Sequence, residues 1–277
     1  MDFRDDAQLD SSQVQDAGRG GGGFRGGPIA IGGGITGLIA LVVALVLGNL
    51  GGGGGEGQEA PGLQPTSNLA DRCKTGADAE QDPKCEVVGV VNSIQAYWGE
   101  TLQGYEQADT VLFEGGVQTG CGDATSAVGP FYCPNDRQIY LDLSFFEQLQ
   151  SQFGAKGGPF AQAYVIAHEY GHHVQNLSGQ LQGGSSVGTE LQADCYGGVW
   201  TKQAVKTGFY EKEFTPAQIA EAMDAAAAVG DDRIQERTQG RVDPESFTHG
   251  SSKQRVAAFQ TGYDSGDPNS CDPGKLQ

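Results

Sequence analysis

The chain has 277 residues, with 35 Asp plus Glu against 17 Lys plus Arg, for a net charge of −18. So acidic a surface repels phosphate and argues for no nucleic-acid partner, while 38% hydrophobic residues exclude wholesale disorder. Glycine contributes 45 residues, roughly twice ordinary usage, and much of it lies in the first 62 positions, which leaves about 205 residues for one globular unit.

Residues 1–27 set Asp2, Asp5, Asp6, Asp10 and Asp16 against Arg4, Arg19 and Arg25 and then run into Gly20–Gly23. With so little apolar content this stretch reads as a disordered tail. From Pro28 to Leu50 the chain carries 23 residues without a charge. A helix of that length spans roughly 30 Å of hydrocarbon, so 28–50 is expected to be a single uncleaved transmembrane helix. A cleaved signal peptide fits less well, because the apolar stretch exceeds the usual 7–15 residues and its leader would be long. Arg19 and Arg25 precede the run and the first basic residue after it is Arg72. The positive-inside rule then predicts a cytoplasmic N-terminus and an extracytoplasmic domain on a single-pass membrane protein. Gly33 and Gly37 form a GxxxG pair that permits dimerisation through the span, a weak signal in so glycine-rich a segment. Residues 51–70 read as a flexible tether, leaving 71–277 as the folded domain.

All six cysteines (Cys73, Cys85, Cys121, Cys133, Cys195 and Cys271) follow the apolar run. An even number on the outer side suits disulfides in an oxidising compartment. Spacing suggests local loops Cys73–Cys85 and Cys121–Cys133, with Cys195–Cys271 tying the C-terminus to the core. A cysteine zinc site has no CxxC pair to support it.

Within the domain, Glu86–Trp98 reads as a helix, Thr110–Phe113 as a strand, and Arg137–Leu143 as a half-buried strand alternating Ile139, Leu141 and Leu143 with polar neighbours. Ser144–Phe153, Pro216–Val229 and the stretch near Ser252–Thr261 read as helices, for an α+β domain with a small sheet. The segment Pro159–Gly179 has proline at a first helical position and glycine at a helix stop. Phe160, Tyr164, Ala167, Gly171 and Val174 recur along it at helical spacing.

Inside that segment sits His168-Glu169-Tyr170-Gly171-His172, an HExxH. Residues i and i+4 stack on one helix face, so both imidazoles point at one ion, and Glu169 projects beside them within reach of a water. Four His and fifteen Glu in 277 residues predict about 0.003 chance matches, so coincidence is a poor explanation. Zinc needs a third protein ligand and keeps a fourth position for water. Eighteen residues on, Glu190 and Asp194 are again i and i+4 at the start of a predicted helix. Ligation is assigned to Glu190, and to Asp194 the orientation of a ligating imidazole; the reverse assignment stays open. His173 lies at a different helical angle and is expected to be exposed or to support a ligand.

HEYGHH, ELQADCYGGVW and FTHGSSKQR at Phe247–Arg255 together resemble the bacterial neutral zinc metallopeptidase family, whose members are membrane-anchored and gluzincin-like. The resemblance covers most of residues 70–265. It implies a zincin-like fold, one zinc ion held by His168, His172 and Glu190, Glu169 as the catalytic carboxylate, and a peptide or protein substrate. In zincins an edge strand flanks the HExxH helix and pairs with extended substrate; here the strand at 137–143 is expected to take that place. In thermolysin-like sites a distant His or Tyr donates to the developing oxyanion, and His249 is the candidate, with capping of the last helix as its other reading. The expected activity is peptide-bond hydrolysis with Glu169 as general base. The alternative is a catalytically inactive, zinc-containing binding module.

Overall fold

The computed structural model of the chain describes residues 1–19, 68–152, 154–181 and 186–276. The chain opens with strand β1 (Val14–Arg19), and continues through the short turns α1 (Leu69–Arg72) and α2 (Gly76–Ala79) into the long helix α3 (Pro83–Thr101). Strand β2 (Thr110–Glu114), the hairpin β3 (Gly116–Thr119) and β4 (Gly122–Thr125), then β5 (Phe131–Cys133) and β6 (Gln138–Leu141) follow. The remainder is helical: α4 (Ser144–Ser151), α5 (Pro159–Leu177), α6 (Ser186–Gln203), α7 (Pro216–Ala228), α8 (Asp231–Gln239), α9 (Ser252–Ser265) and α10 (Pro273–Leu276). This is the mainly helical α+β arrangement expected, with one four-stranded sheet.

Local chemistry explains where the helices begin. Asp82 accepts the Lys84 amide at 2.8 Å ahead of Pro83, and Thr215 with Gln218, like Ser251 with Gln254, closes a capping box. Helix α5 starts on Pro159 and ends before Gly179, which takes a φ of +72°. Glycines then let helix backbones touch. A Cβ on Gly198 of α6 would stand 2.0 Å from the Phe259 carbonyl oxygen of α9, and one on Gly262 of α9 would stand 1.9 Å from that of Cys195. Only glycine fits such a crossing, which brings the middle of α9 onto α6. Gly171 does the same for α5, where a Cβ would meet Ala193 of α6 at 2.9 Å.

The sheet has the order β1-β2-β6-β5, with β1–β2 and β2–β6 parallel and β6–β5 antiparallel. Strand β6 is therefore interior, and the edge facing the HExxH helix is β5, whose Tyr132 hydroxyl lies 3.1 Å from His173 Nδ1 and accepts from Asn176 Nδ2 at 2.8 Å. This corrects the assignment of 137–143 as the edge strand. Alternation reports that a strand has a buried face but not which neighbours it has, and Ile139, Tyr140 and Leu141 are in fact all buried. The three-residue β5 is too short to leave a periodic signal.

The reading of 1–27 as a disordered tail is corrected for residues 1–19. Strand β1 pairs with β2 from Val14↔Thr110 to Arg19↔Glu114, with a bulge between Asp16 and Gly18. Phe3 is buried and its ring lies 4.7 Å from that of Tyr210. Composition alone missed this because the arm brings only a few apolar side chains and borrows the rest of its core from partners far along the chain. The expected span at 28–50, its Gly33/Gly37 pair and most of the tether lie outside the described residues. Among the described residues no helix is long and apolar enough to cross a membrane.

All three predicted disulfides are present: Cys73–Cys85, Cys121–Cys133 and Cys195–Cys271. The second joins the β3–β4 hairpin to the edge strand β5, and the third pins the C-terminus to α6.

Candidate metal centre

Helix α5 is held against the sheet by its own side chains before it offers any ligand. The Tyr170 hydroxyl donates to the Ala108 carbonyl at 3.1 Å and lies 3.0 Å from Thr110 Oγ1. His173 is fully buried, not exposed: its Nε2 lies 2.7 Å from the Glu106 carbonyl oxygen, to which it donates, so Nδ1 accepts from Tyr132. The residue next to a ligand thus serves as a brace between helix and sheet.

With that face fixed, His168 and His172 point together toward Glu190 of α6. Nε2 to Nε2 is 3.2 Å, His168 Nε2 to Glu190 Oε2 is 3.2 Å, and His172 Nε2 to Glu190 Oε1 is 3.5 Å. These three residues form a group able to hold a metal ion among the described residues. Donors around a tetrahedral zinc at roughly 2.0–2.1 Å stand about 3.3 Å apart; the Nε2–Nε2 separation matches, and each glutamate oxygen faces one of the imidazoles.

The tautomers support the same reading. Asp194 Oδ1 lies 2.8 Å from His168 Nδ1, and a carboxylate accepts, so that nitrogen carries the proton. His172 Nδ1 meets Gln175 Oε1 at 2.8 Å. That amide cannot be turned around, because its Nε2 donates to the Thr189 carbonyl at 2.7 Å and to Gln192 Oε1 at 3.0 Å. With Nδ1 of each ring engaged from behind, the two Nε2 atoms face each other at 3.2 Å, the side from which a cation would be held once they are deprotonated. The residues present fit a zinc ion. Burial alone would depress the His168 imidazole, yet the carboxylates of Asp194 and Glu190 outweigh it and raise it to about 10. The site is built to hold positive charge. Glu190 shows the complementary effect: burial pushes its carboxyl up, and His172, His249 and His168 bring it well below the usual range.

Asp194 occupies the position expected of it, behind His168 and away from the cluster. It is fully buried and accepts from Tyr164 Oη at 2.5 Å, Arg255 Nε at 2.7 Å and Arg255 Nη2 at 2.8 Å, besides His168. Burial alone would raise its carboxyl; the Arg255 guanidinium and His168 lower it to about 2. Tyr164, Gln175 and Arg255 were not singled out from the sequence as site residues. Tyr164 and Gln175 had a legible signal, since they sit four before His168 and three after His172 on one helix face. Arg255 closes the FTHGSSKQR motif, but its contact with Asp194 was not legible, because its place depends on the glycine crossing of α9 over α6.

Glu169 is 7% exposed, and burial pushes its carboxyl up while His168 and His172 pull it down. A carboxylate raised in this way is a better proton acceptor near neutral pH. His249 sits in the loop before α9, whose Gly250 lies against Val187 and Leu191 on either side of Glu190. Asp231 organises this loop: its Oδ2 accepts the amides of Thr248, His249 and Gly250 at 2.8, 2.7 and 3.0 Å. The His249 Nδ1 lies 2.8 Å from Thr248 Oγ1 and 3.4 Å from Asp231 Oδ1.

Comparison with known proteins places the chain in a family. Residues 1–273 match the family described as "Putative neutral zinc metallopeptidase". "Uncharacterized protein YpfJ" of Escherichia coli K12 is 40% identical, over 95% of this chain and 95% of its own. "Uncharacterized protein Rv2575" of Mycobacterium tuberculosis H37Rv is 53% identical, over 73% of this chain and 74% of its own. No solved structure matches.

Proposed function

Because the chain belongs to the neutral zinc metallopeptidase family, we propose that it hydrolyses peptide bonds in peptide or protein substrates at the His168–His172–Glu190 centre. The observation that carries this is the pair of imidazole Nε2 atoms facing each other at 3.2 Å, completed by the half-buried Glu190 carboxylate, with Glu169 beside them. A zinc ion held by these residues supplies Lewis acidity toward the scissile carbonyl and lowers the pKa of a water.

The protein's own groups do the rest. Asp194, locked by Arg255 and Tyr164, keeps the His168 proton on Nδ1 and its Nε2 free to ligate. Gln175 does the same for His172. Glu169 accepts the proton of the attacking water and delivers it to the departing amine. His249, with Nδ1 engaged by Thr248 and Asp231, offers Nε2 toward the oxyanion that develops on the substrate carbonyl. The outer edge of β5 is the natural place for an extended peptide to pair. The three disulfides favour an extracytoplasmic location for this body, and the apolar run 28–50 favours attachment to the cell membrane.

The test uses the full chain, purified with stoichiometric zinc and given unfolded casein. Cleavage that a chelator stops and added zinc restores is the expected outcome. A folded, zinc-loaded chain that leaves casein and a peptide library intact would establish the binding module in place of the enzyme. His249→Ala should lower kcat by roughly 10²–10³ with KM little changed, read by steady-state kinetics on a fluorogenic peptide.

A further inference from the structure

The chain's first 19 residues are built into the same body as the zinc centre. Strand β1 adds a parallel neighbour to β2, whose residues Thr110, Val111, Leu112 and Phe113 are all buried. The Asn92 side chain of α3 imitates a strand partner for Asp10, accepting its amide at 2.7 Å and donating to its carbonyl at 3.0 Å. Ahead of these, the Arg4 amide donates to the Phe209 carbonyl and the Gly76 amide to that of Ala7, both at 2.9 Å.

Two glycines make room for the arm. A Cβ on Gly76 would stand 2.0 Å from the Arg4 carbonyl oxygen, and one on Gly89 would stand 2.6 Å from the Phe3 ring. Asp16 is 2% exposed and accepts from Lys84 Nζ at 2.6 Å. The Phe3 and Val14 side chains are both buried in the core. The arm is held by packing, main-chain bonds and a partly buried ion pair, each on a different element of the domain.

A chain that crosses a bilayer once leaves its two flanks on opposite sides of roughly 30 Å of hydrocarbon. Residues 1–19 and 68–276 flank the apolar run 28–50, and they share one sheet and one core. A return crossing by 51–67 would place the polar backbone of a glycine-rich segment, with Glu56 and Glu59, in hydrocarbon without partners. We propose that residues 1–19 lie in the same compartment as the zinc-site domain, so that the two flanks of the apolar run are not parted by a single membrane crossing. The basic residues Arg19 and Arg25, which by count alone place the N-terminus in the cytoplasm, are overruled by the pairing of β1. The inference is independent of peptidase activity.

All six cysteines are in disulfides, so one introduced cysteine gives the chain a unique thiol. Ser12→Cys reports on the exposed arm and Glu213→Cys on the exposed surface of the domain, each in the full chain expressed in bacteria. Spheroplasts are treated with a membrane-impermeant maleimide before and after lysis. Equal labelling of both positions before lysis is the expected result. Labelling of Glu213→Cys alone, with Ser12→Cys reached only after lysis, overturns the proposal. Equal shielding of both until lysis upholds the shared compartment and instead overturns the extracytoplasmic placement. A second measurement floats the full chain, and a chain lacking 28–50, with phosphatidylglycerol-containing vesicles. Loss of vesicle binding on deletion is expected, and undiminished binding would remove the apolar run as the bilayer contact.

Discussion

The zinc-site helices and the N-terminal arm are both fixed by distant parts of the chain, but they announce themselves very differently. On α5 the ligands are four residues apart, so helix geometry alone brings them together. On the arm the contacts that fix it to the domain are all distant: Val14 meets Thr110, Phe3 meets Tyr210, and Asp10 meets Asn92. The centre carries its chemistry in a motif and its rigidity in a buried network. The arm carries no chemistry and has a share in the stability of the whole body. A polar, glycine-flanked terminus can therefore be part of a core when a few of its side chains have places prepared for them.

Substitutions at each region sharpen this contrast. The largest effect belongs to Glu169→Gln, which should cost about 10²–10⁴ in kcat/KM while the zinc content by atomic spectroscopy stays at one per chain. Retained cleavage in that variant would remove Glu169 from its role. Arg255→Ala leaves the fully buried Asp194 carboxylate without its cationic partner and should destabilise the fold by about 3–5 kcal/mol, read by urea unfolding, with weaker zinc retention under chelator competition. Phe3→Ala tests the arm on the same scale. Truncating a buried Phe should cost about 3–5 kcal/mol, whereas a true tail would change the unfolding free energy by less than about 0.5 kcal/mol.

The smallest effect is a dependence on pH. The Asp194 carboxyl sits at about 2 in the folded protein against a usual 3.8. A depressed carboxylate adds stability above its unfolded value and loses it as pH falls through the folded one. The contribution should therefore fade between about pH 4 and pH 2, and it is on the order of 2 kcal/mol. Acid titration of the unfolding free energy of Asp194→Asn should lack that part of the slope, whatever its overall stability.

Much of the centre was legible because its parts are periodic. His168, His172 and Glu169 follow from helix spacing, and Glu190 and Asp194 from a second i, i+4 pair whose order their burial and partners distinguish. Tyr164 and Gln175 lay on the same face and were readable by the same rule. The interior position of β6 was not, because alternation is a property of one strand and sheet order is a property of several. Nor was the burial of His173, whose partners Glu106 and Tyr132 lie 67 and 41 residues away.

By itself the amino-acid sequence determined most of the long helices and the histidine–glutamate cluster, since each follows from local spacing, and it suggested the disulfide pairs without excluding other pairings of six thiols. Only the tertiary structure decided that Arg255 reaches Asp194, that β5 is the edge beside the metal helix, and that the first 19 residues belong to the domain. Those depend on close approaches at Gly198, Gly262, Gly76 and Gly89, where the absent side chain is what lets two distant backbones or a ring come together.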